Sequence, residues 1–483
     1  MRHRLLLPFG SALALSACVA GPPPEISTPI PQLPQNFAYA PDAVTGASVG
    51  ALLPEGDPAF ETLAAAALEG SPTLAEALAR VDAAQARAAR AGAQRLPTIG
   101  AGGNVTATRT NPAQFGGALP PGIDIDTEQV SYGANLNASW NPDIFGRLRL
   151  RDRAATLRVD AAGSQAAAIR LALVAEIAAS VIDWRTLDER AAALQQDLDA
   201  ASELVRLAGV REEAGIAPGF DRVRAQSAAA ASRRRLESLR SERARLVGRL
   251  VTLTATPAQN VTAALAQGAG YEQTGALPPA PAAAPAVLLS NRPDVLAAAA
   301  NLAANDAELY AAAASRFPDF SLSGTLGLLA FSPADLFDTD SIVGSLVAAV
   351  AAPLVDFGRV EAEIDLAAAD KRAAFQAYRG AVYTGLGEAE AGYGVIAAAD
   401  RELAAANAER DTAERAARLA DTRFRAGLSN FLEVLEARRA ADASGERAAA
   451  ALGQARRARV VLWQVLGGGG AYGDGADMQD EMD

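Results

Sequence analysis

One long segment without proline determines how the helices of this chain must pack. After Trp140-Asn141-Pro142-Asp143 no further proline occurs until beyond Val210. A continuous helix over Asp143 to Val210 would be about 100 Å long, at ~1.5 Å of rise per residue. A globular domain cannot bury a helix of that length. The sequence therefore predicts long helices packed side by side, as in a coiled coil.

Apolar residues along this stretch recur at alternating spacings of four and three, which is the pattern of a helix-packing seam. The seam consists of Leu187, Ala191, Leu194, Leu198, Ala201, Val205 and Ala208. A turn follows around Gly215, and a second helical run extends from Asp221 to Leu253. That run repeats the spacing at Leu236, Leu239, Leu246, Leu250 and Leu253. We expect a helical hairpin with its tip near Gly215 and an imperfect stripe, since Arg243 occupies one seam position.

The same plan occurs twice in the chain. Residues of the second half match those of the first at a constant offset of 212. The matched pairs are Gly146 and Gly358, Glu176 and Glu388, Gly215 and Gly427, Asp221 and Glu433, and Leu250 and Leu462. Upstream the offset becomes 221, which relates Pro72 to Pro293 and Pro97 to Pro318. A register held over such a length indicates an internal duplication.

The amino terminus has the composition of an export signal. Arg2-His3-Arg4 precedes the apolar run Leu5 to Leu15, which is too short to span a membrane. Leu15-Ser16-Ala17-Cys18 resembles the lipobox of bacterial lipoproteins, and this implies cleavage before Cys18 and a diacylglycerol thioether on its sulfur. Val19 follows where inner-membrane lipoproteins typically carry aspartate, which favours the outer membrane. The alternative is an ordinary signal peptide with an incidental cysteine.

Composition excludes several classes of function. His3 and Cys18 are the only histidine and the only cysteine, so the chain beyond Cys18 offers no histidine or cysteine for a metal site, a nucleophilic dyad or a disulfide. We therefore expect no metal, no enzymatic activity and no cofactor other than the lipid on Cys18. The net charge of -12 argues against nucleic acid as a partner.

Four other segments alternate apolar and polar residues with a period of two, which is typical of strands. They are Pro97 to Thr108, Gln129 to Trp140, Phe320 to Leu328 and Ile342 to Val350. They are 9 to 12 residues long, which is enough for a tilted strand to cross the hydrocarbon layer, where roughly 9 to 11 are needed. The connections within the two pairs are Asn111 to Thr127 and Phe331 to Asp340. Half-buried hairpins in a soluble sheet are the alternative.

Four strands cannot close a membrane barrel, and an open edge in lipid leaves backbone groups unpaired at several kcal/mol each. Two chains would supply about eight strands, whose interior fills with side chains, whereas three would supply about twelve and leave a bore. We therefore expect a homotrimer. Its fold class is a mixed α and β membrane protein, in which a 12-stranded β-barrel with four strands per chain continues into a long periplasmic α-helical coiled-coil barrel.

The sequence predicts that the chain divides into six parts. They are a lipoprotein signal peptide (1–17), an extended proline-rich strap (18–70), a first repeat (71–254), a linker or equatorial segment (255–291), a second repeat (292–466) and a flexible acidic tail (467–483).

Taken together, these features resemble the TolC-like outer-membrane factor family, in its lipoprotein branch with the NodT-type channels. The resemblance is carried by the lipobox, by Trp140-Asn141-Pro142-Asp143-Ile144-Phe145-Gly146-Arg147, by its echo Pro353-Leu354-Val355-Asp356-Phe357-Gly358-Arg359, and by the second tip from Arg425 to Ala437. It implies an outer-membrane channel that passively conducts drugs or other solutes from a periplasmic adaptor and an inner-membrane efflux pump to the exterior. Two alternatives stay open, a periplasmic coiled-coil adaptor lipoprotein and the channel of a type I protein secretion system.

The resemblance also implies roles for residues at the tips. Glu433 and Glu436 share a helix face and fall where the family places the carboxylates that ring the periplasmic entrance. Their first-copy equivalents, Asp221 and Arg224, make the two hairpins electrostatically unequal. Phe424 stands where the family usually has a tyrosine that helps to hold the entrance closed. The expected adaptor-contact residues are Gly215, Ile216, Ala426, Gly427 and Leu428.

Overall fold

A computed structural model describes residues 23–41, 47–111, 128–267 and 277–469 of the chain. Cys18 and the signal segment lie outside the described residues. So do most of the connection between the first two strands and nearly all of the acidic tail.

The described chain contains nine α-helices and four strands. The helices are α1 (Pro58–Gly70), α2 (Pro72–Ala93), α3 (Arg147–Glu213), α4 (Gly219–Thr254), α5 (Ala258–Gln267), α6 (Val287–Asn291), α7 (Pro293–Ala314), α8 (Arg359–Arg425) and α9 (Phe431–Val465). The strands are β1 (Thr98–Arg109), β2 (Glu128–Trp140), β3 (Asp319–Ala330) and β4 (Ile342–Ala351). The two predicted long helices and the four predicted strands are therefore confirmed, with ends displaced by a few residues.

The duplication is equally clear in the lengths of the elements. Helices α3 and α8 each contain 67 residues, and α2 and α7 each contain 22. Strands β1 and β3 each contain 12 residues. The glycines that begin and end the long helices, Gly146 and Gly215 in one copy and Gly358 and Gly427 in the other, all have positive φ, a conformation that costs other residues more.

An aspartate caps the first turn of each long helix. Asp143 accepts hydrogen bonds from the backbone N–H groups of Leu148 and Arg149, at 3.0 and 2.7 Å. Asp356 accepts from Gly358 and Val360, at 3.1 and 2.9 Å. These carboxylates satisfy backbone donors that have no partner within the helix.

The strands form one antiparallel sheet in the order β1-β2-β3-β4. Leu136 pairs with Ala101 on one side and with Leu326 on the other, so the predicted apolar positions share one face. The opposite face is small and polar in β1 and β2, and it also carries Leu329, Val343 and Val347 in the second hairpin. On it Thr325 Oγ1 donates to Asn137 Oδ1 at 3.0 Å, and Asn137 Nδ2 donates to Asn135 Oδ1 at 3.2 Å. Every residue of the edge strands β1 and β4 is exposed in the single chain.

The chain divides into two compact units. One comprises the described residues of Met1–Pro29, Asp82–Asp160 and Ala300–Gln376, and the other comprises those of Ile30–Val81, Ala161–Ala299 and Ala377–Asp483. The first contains the sheet and a small core around Leu309 and Ile364. The second contains the main core, whose largest buried side chains include Phe60, Ile177, Leu265 and Trp463.

Two shorter helices contribute to the main core. Helix α1, at the end of the range 18–70, packs on α4 and α5 and buries Phe60 and Leu63. Helix α5, within the linker or equatorial range 255–291, contributes Val261 and Leu265 to the core. Both segments are apolar enough on one face to join the core, and for that reason neither runs free over the surface.

The predicted seam is correct in part. Leu187, Leu194, Ala201 and Ala208 are buried, whereas Leu198 and Val205 are half-buried and Leu204 is buried in place of Val205. The buried stripe is wider than a two-helix seam because α3 contacts both its own hairpin partner and residues of the second hairpin.

Helix α3 is long and apolar enough to cross a membrane by length and composition, and it alone among the described helices meets that test. Its most apolar window is 56% buried within the protein, where Ile177, Val181 and Ile182 belong to the main core. Core packing therefore accounts for its apolar character.

Candidate functional site

The two hairpin tips have the same backbone. At the first, Gly215 N–H donates to Glu212 O at 2.9 Å and Ile216 N–H donates to Arg211 O at 2.9 Å. At the second, Gly427 N–H donates to Phe424 O at 2.9 Å and Leu428 N–H donates to Arg423 O at 2.8 Å. Each pair of bonds forms a Schellman motif with glycine in the left-handed conformation.

This geometry places an exposed apolar side chain directly after each tip glycine. Ile216 and Leu428 follow the tip glycines directly and are each 70% exposed. Ala426 is also exposed. The five residues expected to contact an adaptor therefore lie at the two tips, and two of them are large apolar side chains without a cover in the single chain.

Behind the tips, residues of all four long helices form one small core, which we call the tip core. It comprises Leu204, Ala208, Ala225, Ala228, Phe424, Phe431, Val434 and Leu435. Phe424 is 5% exposed, meets Phe431 edge-on with ring centroids 6.1 Å apart, and lies beneath the Arg211 guanidinium at 4.8 Å. The structure thus places Phe424 inside the tip core rather than on an exposed face.

The charged candidates lie on the surface of the tips. Glu433 N–H donates to Asn430 Oδ1 at 2.9 Å, so Asn430 caps helix α9, and Asn430 Nδ2 also donates to Glu433 Oε1 at 3.0 Å. Glu433 and Glu436 are both exposed. Arg224 lies over the Phe220 ring at 4.8 Å, and Asp221 is half-buried in the first turn of α4.

One feature of the helical hairpins escaped the sequence reasoning. Asp197 of α3 is 8% exposed, its Oδ2 atom is buried without a hydrogen-bond donor, and it faces Asp442 of α9. Burial, with the hydrogen bond to Asp442 adding to it, raises the pKa of Asp197 to about 8. The sequence does show that Asp197 adjoins the seam residue Leu198. It does not show that Asp197 faces Asp442, because Asp442 lies in the second repeat.

Arg243, the seam position that broke the apolar stripe, has a local explanation. Its guanidinium donates to Asp188 Oδ1 on the facing helix and lies over the Trp184 ring at 5.4 Å. The stripe is interrupted by an ion pair in which both charges have a partner, so the hairpin continues past it.

Comparison with known proteins places these features in a family. The profile of the outer membrane efflux protein family matches residues 63–256 and 284–468. The chain belongs to the outer membrane efflux protein family. The two matched segments cover most of both repeats, and the predicted location in the outer membrane is confirmed.

Individual relatives agree with this assignment. The chain is 32% identical over 418 residues to the pyoverdine export outer membrane protein OpmQ of Pseudomonas aeruginosa, covering 86% of each chain. It is 28% identical over 478 residues to nodulation protein T of Rhizobium leguminosarum bv. viciae, covering 95% of this chain and 92% of the other. The solved outer-membrane channel OprN is 25% identical, with a TM-score of 0.80 over 92% of this chain and 99% of that one. The predicted TolC-like fold is thus confirmed.

Proposed function

We propose that this efflux protein is the outer-membrane conduit of a tripartite export system, assembled as a homotrimer, and that it passes solutes without chemistry of its own. The observation that carries the proposal is the four-stranded sheet, which has one apolar face, one face that is mostly small or polar, and two unpaired edges. An unpaired edge is costly in lipid, and closure with further copies removes it. Three copies give about twelve strands around a bore.

The tips supply the proposed contacts on the periplasmic side. Ile216 and Leu428 offer exposed apolar groups at matched places on both hairpins, which suits docking of a periplasmic adaptor joined to an inner-membrane pump. The named relatives, a pyoverdine export protein among them, support export of a small solute. Lipid attachment at Cys18 would add an anchor, and palmitate labelling that persists in Cys18→Ser would rule this anchor out.

A matched pair of substitutions on neighbouring residues tests the barrel. Leu136 and Asn135 lie on opposite faces of β2. Leu136→Arg places a charge on the lipid side and should destabilise the barrel by about 2 to 4 kcal/mol if the residue lies at the bilayer midplane. Asn135→Arg places the same charge in the bore and should chiefly alter the single-channel conductance.

The measurements are the thermal dissociation of the detergent-resistant oligomer and planar-bilayer conductance. Loss of stability in Leu136→Arg together with altered conductance in Asn135→Arg supports the proposal. Equal effects of the two substitutions in both measurements would mean that the sheet does not separate lipid from a water-filled bore.

A further inference from the structure

The two β-hairpins obey the same offsets as the sequence. Thr98 pairs with Ser139 in the first hairpin, and Asp319 pairs with Ala351 in the second. The first strand is thus shifted by 221 and the second strand by 212, as in the duplicated sequence. The two copies can therefore be compared residue by residue across the sheet.

Inside the chain, the end of the first hairpin packs on the beginning of the second. Strands β2 and β3 pair with Leu136 opposite Leu326. Just beyond β2, Phe145 stacks on Phe317 with ring centroids 4.7 Å apart and lies 6.3 Å from the Phe320 ring. Phe145, which we call the phenylalanine knob, is 42% exposed and Phe317 is 37% exposed, so the knob partly covers the start of the neighbouring strand.

The equivalent residues at the outer edges of the sheet have no such cover. Phe357, the equivalent of Phe145, is 98% exposed. Leu96 and Ile99, the equivalents of Phe317 and Phe320, are 64% and 73% exposed. One edge of the sheet therefore carries a knob, and the opposite edge carries the apolar surface that such a knob covers inside the chain.

The backbone holds Phe357, the equivalent of the phenylalanine knob at the sheet edge, in an unfavourable conformation. Phe357 has φ +53°, and it is one of two non-glycine residues with positive φ in the described chain. A single residue separates the capping Asp356 from Gly358, whereas two residues separate Asp143 from Gly146, and the shorter turn brings Phe357 into the left-handed region. A bulky residue in that region is strained, and Phe357 makes almost no contact within its own chain that could offset the strain. The position therefore points to a contact outside the chain.

We propose that a second copy of this chain covers the knob, so that Phe357 of one copy packs on Leu96 and Ile99 of the next. We pair β4 of one copy with β1 of the next in the register that β2 and β3 have within the chain. Ala348 of β4 then lies opposite Val105 of β1, and Val350 lies opposite Gly103. Ala348 and Val105 both lie on the apolar face of the sheet, as paired residues must. The inference rests on the homotrimer proposed above and adds its strand register and its junction contact.

Paired cysteines test the register directly. Val105→Cys with Ala348→Cys should form disulfide-linked oligomers when membranes are treated with an oxidant. Within one chain β1 and β4 are three strand spacings apart, about 14 Å, which is too far for a disulfide. Ala101→Cys with Ala348→Cys is the matched control, because Ala101 lies on the same face four residues away and should not crosslink.

Two further variants test the knob. Phe357→Ala should lower the temperature at which the oligomer dissociates, and Phe357→Leu should restore most of the loss. Phe337→Ala removes another phenylalanine, 83% exposed in the β3–β4 connection, and should leave that temperature unchanged. A photoreactive benzoylphenylalanine at position 357 should attach to a second chain.

The outcomes separate the register from the trimer. Crosslinking in the control pair but not in the Val105 pair, in a protein that still migrates as a trimer, overturns the proposed register. Photo-adducts with lipid alone overturn the junction contact. A protein that migrates only as a monomer, with no crosslink in either pair, overturns this proposal and the proposed homotrimer together.

Discussion

The two hairpin tips share a backbone and differ in what holds them together. Phe424 of the second tip is buried in the tip core, whereas its first-copy equivalent, Glu212, pairs with Arg222 at 2.7 Å on a partly exposed surface. Both tips keep the glycine with positive φ and the two backbone hydrogen bonds that end the long helix. Side chains beside it have diverged because either an apolar contact or an ion pair can close the same turn.

A second pair of equivalent positions differs in the same way. Asp197 in the first copy is buried beside Asp442. Its second-copy equivalent, Glu409, is exposed and pairs with Arg447 at 2.7 Å. The two copies thus share their helices, and they differ in whether the acidic residue at this position is buried or exposed.

The largest expected difference between the copies is in the tip core. Phe424→Ala should destabilise it by about 3–5 kcal/mol, because it removes a buried ring. Glu212→Ala at the equivalent position should cost at most about 1 kcal/mol, because it removes a partly exposed ion pair. Hydrogen exchange of the tip amides measures both as local opening. Exchange that rises equally in the two variants would mean that Phe424 does not anchor the four helix ends.

The next difference is one of pH dependence. The pKa of Asp197 is raised from 3.8 to about 8, so the folded protein retains a proton that the unfolded chain releases above pH ~4. Its contribution to stability therefore falls as pH rises from about 4 to about 8. Asp197→Asn should remove this dependence and stabilise the folded state at pH 8 by about 1–3 kcal/mol, measured as thermal unfolding in detergent.

Other charges near this pair bear on the same measurement. Arg235 favours ionisation of both aspartates, Arg438 favours that of Asp442, and Glu446 opposes that of Asp197. Glu409→Gln is the matched control at the exposed equivalent and should leave the pH profile unchanged. A profile that is the same in Asp197→Asn and in the unmodified protein would show that Asp197 is ionised throughout this range.

The smallest effect on stability is expected from the surface charges of the tips, where the copies differ in sign. We propose that Glu433 and Glu436 form an acidic ring at the periplasmic entrance of the trimer and that Arg224 restrains it. Glu433→Ala with Glu436→Ala should then reduce cation selectivity in planar bilayers, and Arg224→Glu should raise open probability by repulsion. Glu402→Ala, an exposed acid elsewhere on helix α8, should do neither. Unchanged selectivity and open probability in the tip variants would leave these residues as solvated surface charges.

The sequence by itself determined the periodic parts of this protein. The lengths of α3 and α8, the positions of the glycines at their ends and the alternation of the four strands follow from local patterns and from chain geometry. The offsets of 212 and 221 relate the elements of one repeat to those of the other, and they match the strand pairing of both hairpins. A period is a property of neighbouring residues, so it can be read without knowing what the segment packs against.

Tertiary structure decided the contacts between segments far apart in the chain. Nothing local to Asp197 shows that Asp442 will face it, and nothing local to Phe424 shows that it will lie beneath Arg211. The equivalent phenylalanines Phe145 and Phe357 make the point most directly. Phe145 is stacked on Phe317 and is 42% exposed, whereas Phe357 is 98% exposed. The difference arises because a strand of the same chain follows the first hairpin in the sheet, whereas the second hairpin ends at an open edge.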